Sequence, residues 1–413
     1  MNNLLLRRVF RARTAFRAGT ALLAAAGLLL APAVAALPAL ADDATSRDAT
    51  EVGTGLQPLG VVSAPDGTLY VSDYHWAGGV AVFEPGETRA SRTITVGRFP
   101  SSLAMTPDGT LYVLQTTDSG QAEIGVVSAG AAKPDYAIAV SPGTHWLTAG
   151  PDGSVYVANP AEGSASVVPP GRTWTERTIQ AGPYPVELTV AKDGTLYAAN
   201  EYEGTVTVVP AGSPSPSHTI SVGAKAHPHG IAAAPDGTVY VANILTNDVA
   251  VIEPGGTEVA RRIPVGGAPQ EVVAAPDGTV YVSNSTDNTV SVIQAGAGAV
   301  AETIATGEDP GRMAVRADGS VVVVNRGGRS LTVIGWAKKG PGPVPAAAGV
   351  PDAGGSGAAA QASDGAAAAP GLPAIAAAAA VVFLGGAGAL IAVARRRRKD
   401  RPDVPAWTLS QGQ

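Results

Sequence analysis

This 413-residue sequence predicts an all-β chain of seven four-stranded antiparallel blades closed into a ring, and three observations carry the prediction. Composition is the first: 51 Gly and 33 Pro with only 15% charged residues disfavour helix interiors, whereas the many valines suit strands. The second is an Asp-Gly signal that returns at nearly constant spacing through the middle of the chain. The third is a last repeat lacking one strand, together with a spare strand before the first repeat.

Taken in chain order, residues 1–41 read as an export signal. Arg7, Arg8, Arg11, Arg13 and Arg17 precede an apolar run from Ala18 to Ala36, and Ala39-Leu40-Ala41 supplies an A-x-A cleavage site. Arg7-Arg8-Val9-Phe10 also fits a twin-arginine signal, so the export route stays open between the two.

Residues 42–336 hold the repeats. The tripeptide signal appears as Pro65-Asp66-Gly67, Pro107-Asp108-Gly109, Pro151-Asp152-Gly153, Lys192-Asp193-Gly194, Pro235-Asp236-Gly237, Pro276-Asp277-Gly278 and Ala317-Asp318-Gly319, with 41 to 44 residues between aspartates. Pro presets φ, Asp bonds its own backbone and Gly accepts positive φ, so each copy is a hairpin turn between two apolar runs. Turn formation accounts for the repeated aspartate without calcium. Seven residues after each Asp a polar residue ends the strand: Asp73, Gln115, Asn159, Asn200, Asn243, Asn284 and Asn325. A third alternating run follows, such as Thr289-Val290-Ser291-Val292-Ile293, and then a fourth, such as Thr219-Ile220-Ser221-Val222. Four short strands at this period make a propeller blade, which must stack on neighbours to bury its faces. The seventh repeat runs out after Leu331-Thr332-Val333-Ile334, and Thr50-Glu51-Val52-Gly53 resembles a fourth strand, so residues 45–53 are expected to close the ring.

Val155-Tyr156-Val157-Ala158-Asn159, Val239-Tyr240-Val241-Ala242-Asn243 and Val280-Tyr281-Val282-Ser283-Asn284 resemble the Tyr-Val-x-Asn repeat of the YVTN family of β-propellers, and the resemblance extends over residues 45–336. It departs at Asp73, Gln115, Ala198 and Val322. The resemblance implies a seven-bladed propeller of surface-layer or secreted type, and says more about architecture and location than about chemistry.

Residues 337–371 are an Ala, Gly, Pro and Ser stretch with no large side chains to bury, which reads as a disordered stalk. Residues 372–394 carry no charge and as a helix would span ~34 Å, enough for a bilayer core. Arg395-Arg396-Arg397-Arg398-Lys399 follows at once, so the positive-inside rule puts the tail, 395–413, in the cytoplasm and the propeller outside. The expectation is therefore a single-pass cell-membrane protein with an extracellular propeller. The first 41 residues carry +5 and those from Leu372 carry +4, which leaves −15 on residues 42–371 of a chain whose net charge is −6. That acidity repels phosphate backbones and argues against nucleic acid as a partner.

The absence of cysteine excludes disulfides, thiolate metal sites and a cysteine nucleophile. No G-x-S-x-G, Walker, Rossmann or H-E-x-x-H motif occurs, so catalytic residues are assigned to none. Binding residues are expected on the loops opposite the Pro-Asp-Gly turns. Six residues before each turn Asp stand Gly60, Ser102, Trp146, Glu187, Gly230, Glu271 and Arg312; seven before stand Leu59, Ser101, His145, Val186, His229, Gln270 and Gly311. These positions should ring the channel mouth and, unlike the turns, they differ from blade to blade. The candidate ligand-binding residues are His145, Trp146, Tyr184, Glu187, His227, His229, Gln270, Glu271 and Arg312. Imidazole and carboxylate among them suit a divalent cation, but the spacing supports no metal or other cofactor. Trp76, Phe99 and Tyr202 add aromatic surface on the same face, suited to a sugar or a protein partner.

The function expected is a non-enzymatic surface module that binds an extracellular protein, glycan or small ligand. The alternative is a lyase: Pro228-His229-Gly230-Ile231 and the repeated Asp-Gly look similar to streptogramin-lyase-type propellers. That resemblance implies channel-mouth His and Glu with a magnesium ion opening a lactone. Only His229 matches residue by residue, since the next blade has Gln270 at the equivalent position and the Trp-Phe-Thr strand motif is absent.

Overall fold

The computed structural model describes residues 47–335, which form seven four-stranded antiparallel sheets. The export signal (1–41), stalk (337–371), apolar segment (372–394) and basic tail (395–413) lie outside the described residues, as does Trp336 at the edge of the propeller span. Among the described residues no helix is long and apolar enough to cross a membrane.

Blades one to six are continuous in sequence, and their inner strands are Pro58–Ser63, Leu103–Met105, Trp146–Ala149, Pro185–Val190, Pro228–Ala233 and Pro269–Ala274. Blade seven combines Pro310–Val315, Val321–Asn325 and Ser330–Ile334 with Ala49–Gly53 from the other end of the chain. That closing strand pairs in register from Ala49 opposite Ile334 to Gly53 opposite Ser330, within the expected span 45–53. Thr54 N–H donates to Arg329 O at 3.1 Å, and Arg47 Nη1 reaches Glu302 Oε2 of blade six at 2.8 Å, so the terminus is stitched to two blades. Closure removes the free edge that an open ring would expose.

The hairpin turns form as their sequence requires. The Asp carboxylate accepts the N–H two residues on in all seven: Asp66 to Thr68, Asp108 to Thr110, Asp152 to Ser154, Asp193 to Thr195, Asp236 to Thr238, Asp277 to Thr279 and Asp318 to Ser320, at 2.9–3.1 Å. The following glycine has φ between 79° and 89° each time.

Alternation along the strands sends apolar side chains to both faces of every sheet, and the hydrophobic clusters lie between blades rather than within them. Val61, Leu69, Val71 and Phe83 of blade one, for instance, pack with Ala314, Val322, Val324 and Leu331 of blade seven. Val206, Val208 and Ile220 of blade four pack likewise with Ile231, Val239 and Val241 of blade five. A blade cannot bury these faces alone, so the ring is the unit of stability.

The polar residue that ends each second strand has a bonding role. Asn284 Nδ2 donates to Thr289 Oγ1 at 3.0 Å and Ser291 Oγ at 2.9 Å, and Asn325 does the same with Ser330 and Thr332. In blade two Gln115 substitutes with a longer reach, accepting Gly97 N–H and donating to Glu123, both at 2.8 Å. Asp73 of blade one instead accepts Gln57 N–H at 2.8 Å.

Candidate functional site

Most of the candidate residues stand at the start of inner strands rather than in loops. Trp146 opens its strand, and Glu187, His229, Gln270, Glu271 and Arg312 lie within the first three residues of theirs. The strands reach the channel mouth because their first residues still pair, across a register shift: Pro185 to Glu187, Pro228 to Ile231, Pro269 to Glu271 and Pro310 to Met313. A bulge at that point re-aims the side chains beside it. The residue before the proline that opens or shortly precedes the inner strand is also unusual. Phe99, Tyr184, His227, Ala268 and Asp309 have φ of 48–58°, a conformation that non-glycine residues adopt only when their surroundings hold them. Asn247 Oδ1 holds Ala268 N–H, and Asn288 Oδ1 holds Asp309 N–H, both at 2.9 Å from the preceding blade.

At the mouth four of the residues six before a turn Asp, namely Trp146, Glu187, Glu271 and Arg312, form one network across the ring. Arg312 Nη1 of blade seven lies 2.5 Å from Glu187 Oε2 of blade four and 2.6 Å from Glu271 Oε2 of blade six. Glu187 is 1% exposed, and its Oε1 accepts Ile231 N–H of blade five at 2.9 Å. The Arg312 guanidinium stacks 3.9 Å from the centre of the Trp146 ring, whose Nε1–H donates to Leu188 O at 3.2 Å. At the same register position Gly230 has no side chain because a Cβ there would sit 2.7 Å from Glu271 Cα. Burial, and then the Glu271 charge, push the Glu187 carboxyl well above the ordinary carboxylate range against the pull of Arg312. Burial works to lower the Arg312 pKa, but the two carboxylates outweigh it and hold the guanidinium charged.

His229 and His145 both feel the Arg312 charge. His229 Nδ1 lies 2.9 Å from Gln270 O, and because a carbonyl only accepts, Nδ1 carries the proton and Nε2 the lone pair. Burial and then the Arg312 charge bring His229 down to about 3. His145 is lowered in the same direction by desolvation and the Arg312 charge, although its side chain is more open to solvent. Both rings are therefore neutral near pH 7.

The remaining candidates, Tyr184 and His227, are drawn into a separate cluster between blades four and five. The Tyr184 and Tyr202 rings are 4.4 Å apart, and Tyr202 meets the His227 ring edge-on at 5.4 Å. Glu201 Oε1 is 3.1 Å from His227 Nδ1 without the angle of a hydrogen bond, which leaves that nitrogen unpartnered. Burial raises Glu201 to about 7 and lowers His227. A third group lies across blades one and two. Tyr74 and Trp76 are exposed, their rings 5.5 Å and 5.9 Å from that of Phe99, and the Arg98 guanidinium sits 3.5 Å over Trp76.

Tyr74, Glu201 and Arg326 were not among the sequence candidates, yet each directly follows the strand-ending polar residue of its blade. The same alignment, shifted to that position, reads Tyr74, Thr116, Pro160, Glu201, Ile244, Ser285 and Arg326, and its variation was the available signal.

The profile of the Virginiamycin B lyase family matches residues 46–333, the whole ring apart from its last residues. The chain belongs to that family. No curated protein matches it. Among solved structures, hydrazine synthase of Kuenenia stuttgartiensis is similar at 21% identity and a TM-score of 0.61, over 69% of this chain and 97% of that one. A streptogramin B lyase is similar at 15% identity and a TM-score of 0.58, over 70% and 97% of the two chains. A catalytically inactive virginiamycin B lyase from Staphylococcus aureus with quinupristin is similar at 14% identity and a TM-score of 0.54, over 70% and 99%. At these identities the likeness is one of fold.

The magnesium ion implied by the lyase resemblance can be tested against this member of the Virginiamycin B lyase family. Its two mouth carboxylates already share a cation, the Arg312 guanidinium, and Gln270 offers an amide where the resemblance calls for imidazole. Among the described residues no three His, Asp or Glu side chains converge on a point that would hold a metal. His145, His227, His229, Glu187 and Glu271 therefore do not fit a magnesium site: Glu187 and Glu271 face Arg312, and His227 belongs to the cluster with Tyr202.

Proposed function

We propose that this chain is a non-enzymatic member of its family, a binding propeller that takes an extracellular glycan, protein or small ligand on the face bearing the channel mouth. The observation that carries this reading is Arg312 lodged between Glu187 and Glu271, which neutralises in place the charge that a metal-dependent lyase would use on its ion. His229 supports it as well. A general base works best with a pKa near the operating pH, and this ring, held down to about 3, is a weak base despite its free Nε2. The acidic span 42–371 and the exposed aromatics Tyr74, Trp76 and Tyr202 suit recognition of something other than nucleic acid. Display outside the cell rests on the sequence alone, from the signal at 1–41 and the apolar segment 372–394 with its basic flank.

Incubation of the purified chain with quinupristin and magnesium, followed by mass spectrometry, tests the reading. The ligand is expected to stay intact. Ring opening by the wild type that disappears in His229→Ala would replace the binding module with a lyase.

A further inference from the structure

We propose that a cavity of about 230 Å³ between blades seven and one binds a carboxylate-bearing sugar ring, one unit of an acidic glycan. The inference deepens the binding function proposed above and rests on it. Gln57, Pro58, Leu59, Tyr74, Arg326 and Arg329 line the cavity.

Two guanidinium groups in one wall are unusual on a span of net charge −15. Arg326 donates through Nη2 to Asp309 at 2.7 Å, while its Nε is buried without a partner. Arg329 makes no ion pair among the described residues, and its backbone is held at a φ of 50° at the turn that leads into the third strand of blade seven. Asp309 takes up the Arg326 charge, but Arg329 stays uncompensated at the cavity wall and calls for an anion, and the planar fork of arginine matches the two oxygens of a carboxylate.

The other lining residues identify what carries that anion. Pro58, Leu59 and the Tyr74 ring, 45% exposed, give an apolar face against which the C–H side of a sugar ring can lie while its hydroxyls reach Gln57. The volume is below the roughly 300–1,000 Å³ of pockets for drug-sized ligands, so the cavity takes one ring. Beyond Tyr74 the aromatic surface continues through Phe99 to Trp76, 54% exposed and topped by Arg98, which gives neighbouring sugar units a track. A polyphosphate would place denser charge against an acidic body, whereas a uronate has one charge per ring.

Calorimetric titration of the purified full-length chain with galacturonate and glucuronate oligomers, their methyl esters and inorganic phosphate tests the assignment. At least one uronate oligomer is expected to bind. Its methyl ester and phosphate should bind at least about tenfold more weakly, the scale of one lost charge-assisted contact. Arg329→Gln should weaken uronate binding by about tenfold with an unchanged melting temperature, and Trp76→Ala should weaken the oligomer while leaving the single sugar unaffected. Failure of both uronates, equal binding of ester and acid, phosphate binding as tight as uronate, or an indifferent Arg329→Gln would each overturn the proposal. Quinupristin turnover is scored separately, so a chain that opens quinupristin yet binds uronate through Arg329 sinks the non-enzymatic reading alone.

Discussion

Arg312 of blade seven and Glu187 of blade four, 125 residues apart in sequence, meet across the mouth of the ring with Nη1 2.5 Å from Oε2. Glu271 shares the same nitrogen, so one guanidinium ties three blades at the point where their inner strands begin. A buried group of this kind is worth little against an apolar replacement but is expensive to break from one side. Arg312→Ala, which leaves Glu187 and Glu271 buried without their shared partner, is expected to destabilise the ring by about 3–5 kcal/mol in chemical denaturation. The triple variant Arg312→Met with Glu187→Gln and Glu271→Gln should recover most of that loss. A triple variant as unstable as Arg312→Ala would mean that the charges themselves, rather than their mutual neutralisation, hold the mouth.

Ring closure makes the strand Ala49–Gly53 disproportionately important. Removing residues up to Gly53 strips a complete five-residue partner from Ser330–Ile334 and reopens blade seven. The melting temperature of such a truncation is expected to fall by on the order of 10 °C, as the loss of a few kcal/mol implies. Unchanged melting would show that three strands suffice for the last blade.

The strand-ending asparagines should behave as buried clamps. Asn284 is fully buried, and its amide holds the hydroxyls of Thr289 and Ser291. Asn284→Ala leaves both hydroxyls without that partner and should cost about 1–3 kcal/mol. Asn284→Gln should not rescue it, because Gln115 performs this task in blade two with different partners, Gly97 and Glu123. Thermal unfolding of the two variants beside the wild type checks both statements.

These elements differ in how plainly they could be read from the chain. The Pro-Asp-Gly turns, the closing strand and the blade count follow from local rules, since an Asp that must bond two residues on and a Gly that must take positive φ leave a fixed trace at each repeat. The mouth was legible as a set of positions but not as a network. Nothing in the sequence says that Glu187 and Arg312 face one another, because that depends on ring diameter and on bulges at Pro185 and Pro310 that turn the side chains inward. The division of the candidates was hidden for the same reason. Tyr184 and His227 each precede an inner-strand proline and take φ of 56° and 58°, which swings them away from the axis group and toward Tyr202.

His229 and Glu201 give the protein a two-part pH response with opposite signs. The folded state holds His229 near 3, below the ordinary 6.5, so between those values the unfolded chain binds a proton that the folded one refuses. Stability from this group is complete above 6.5 and is lost as pH falls toward 3, by up to about 1.4 kcal/mol per pH unit. Glu201 behaves in reverse. Its folded value of about 7 lies above the ordinary 4.5, so the folded state keeps a proton that the unfolded chain releases, and stability falls as pH rises from 4.5 to 7. From 4.5 to 6.5 the slopes of these two groups oppose each other. His229→Gln, which keeps an N–H for Gln270 O, removes that ring's share of the rising slope and should tilt the stability curve downward with increasing pH relative to the wild type through this window. Glu201→Gln should do the opposite. Urea denaturation at half-unit pH steps reads both slopes, and a His229→Gln curve that stays parallel to the wild type would show that the half-buried ring does not resist protonation.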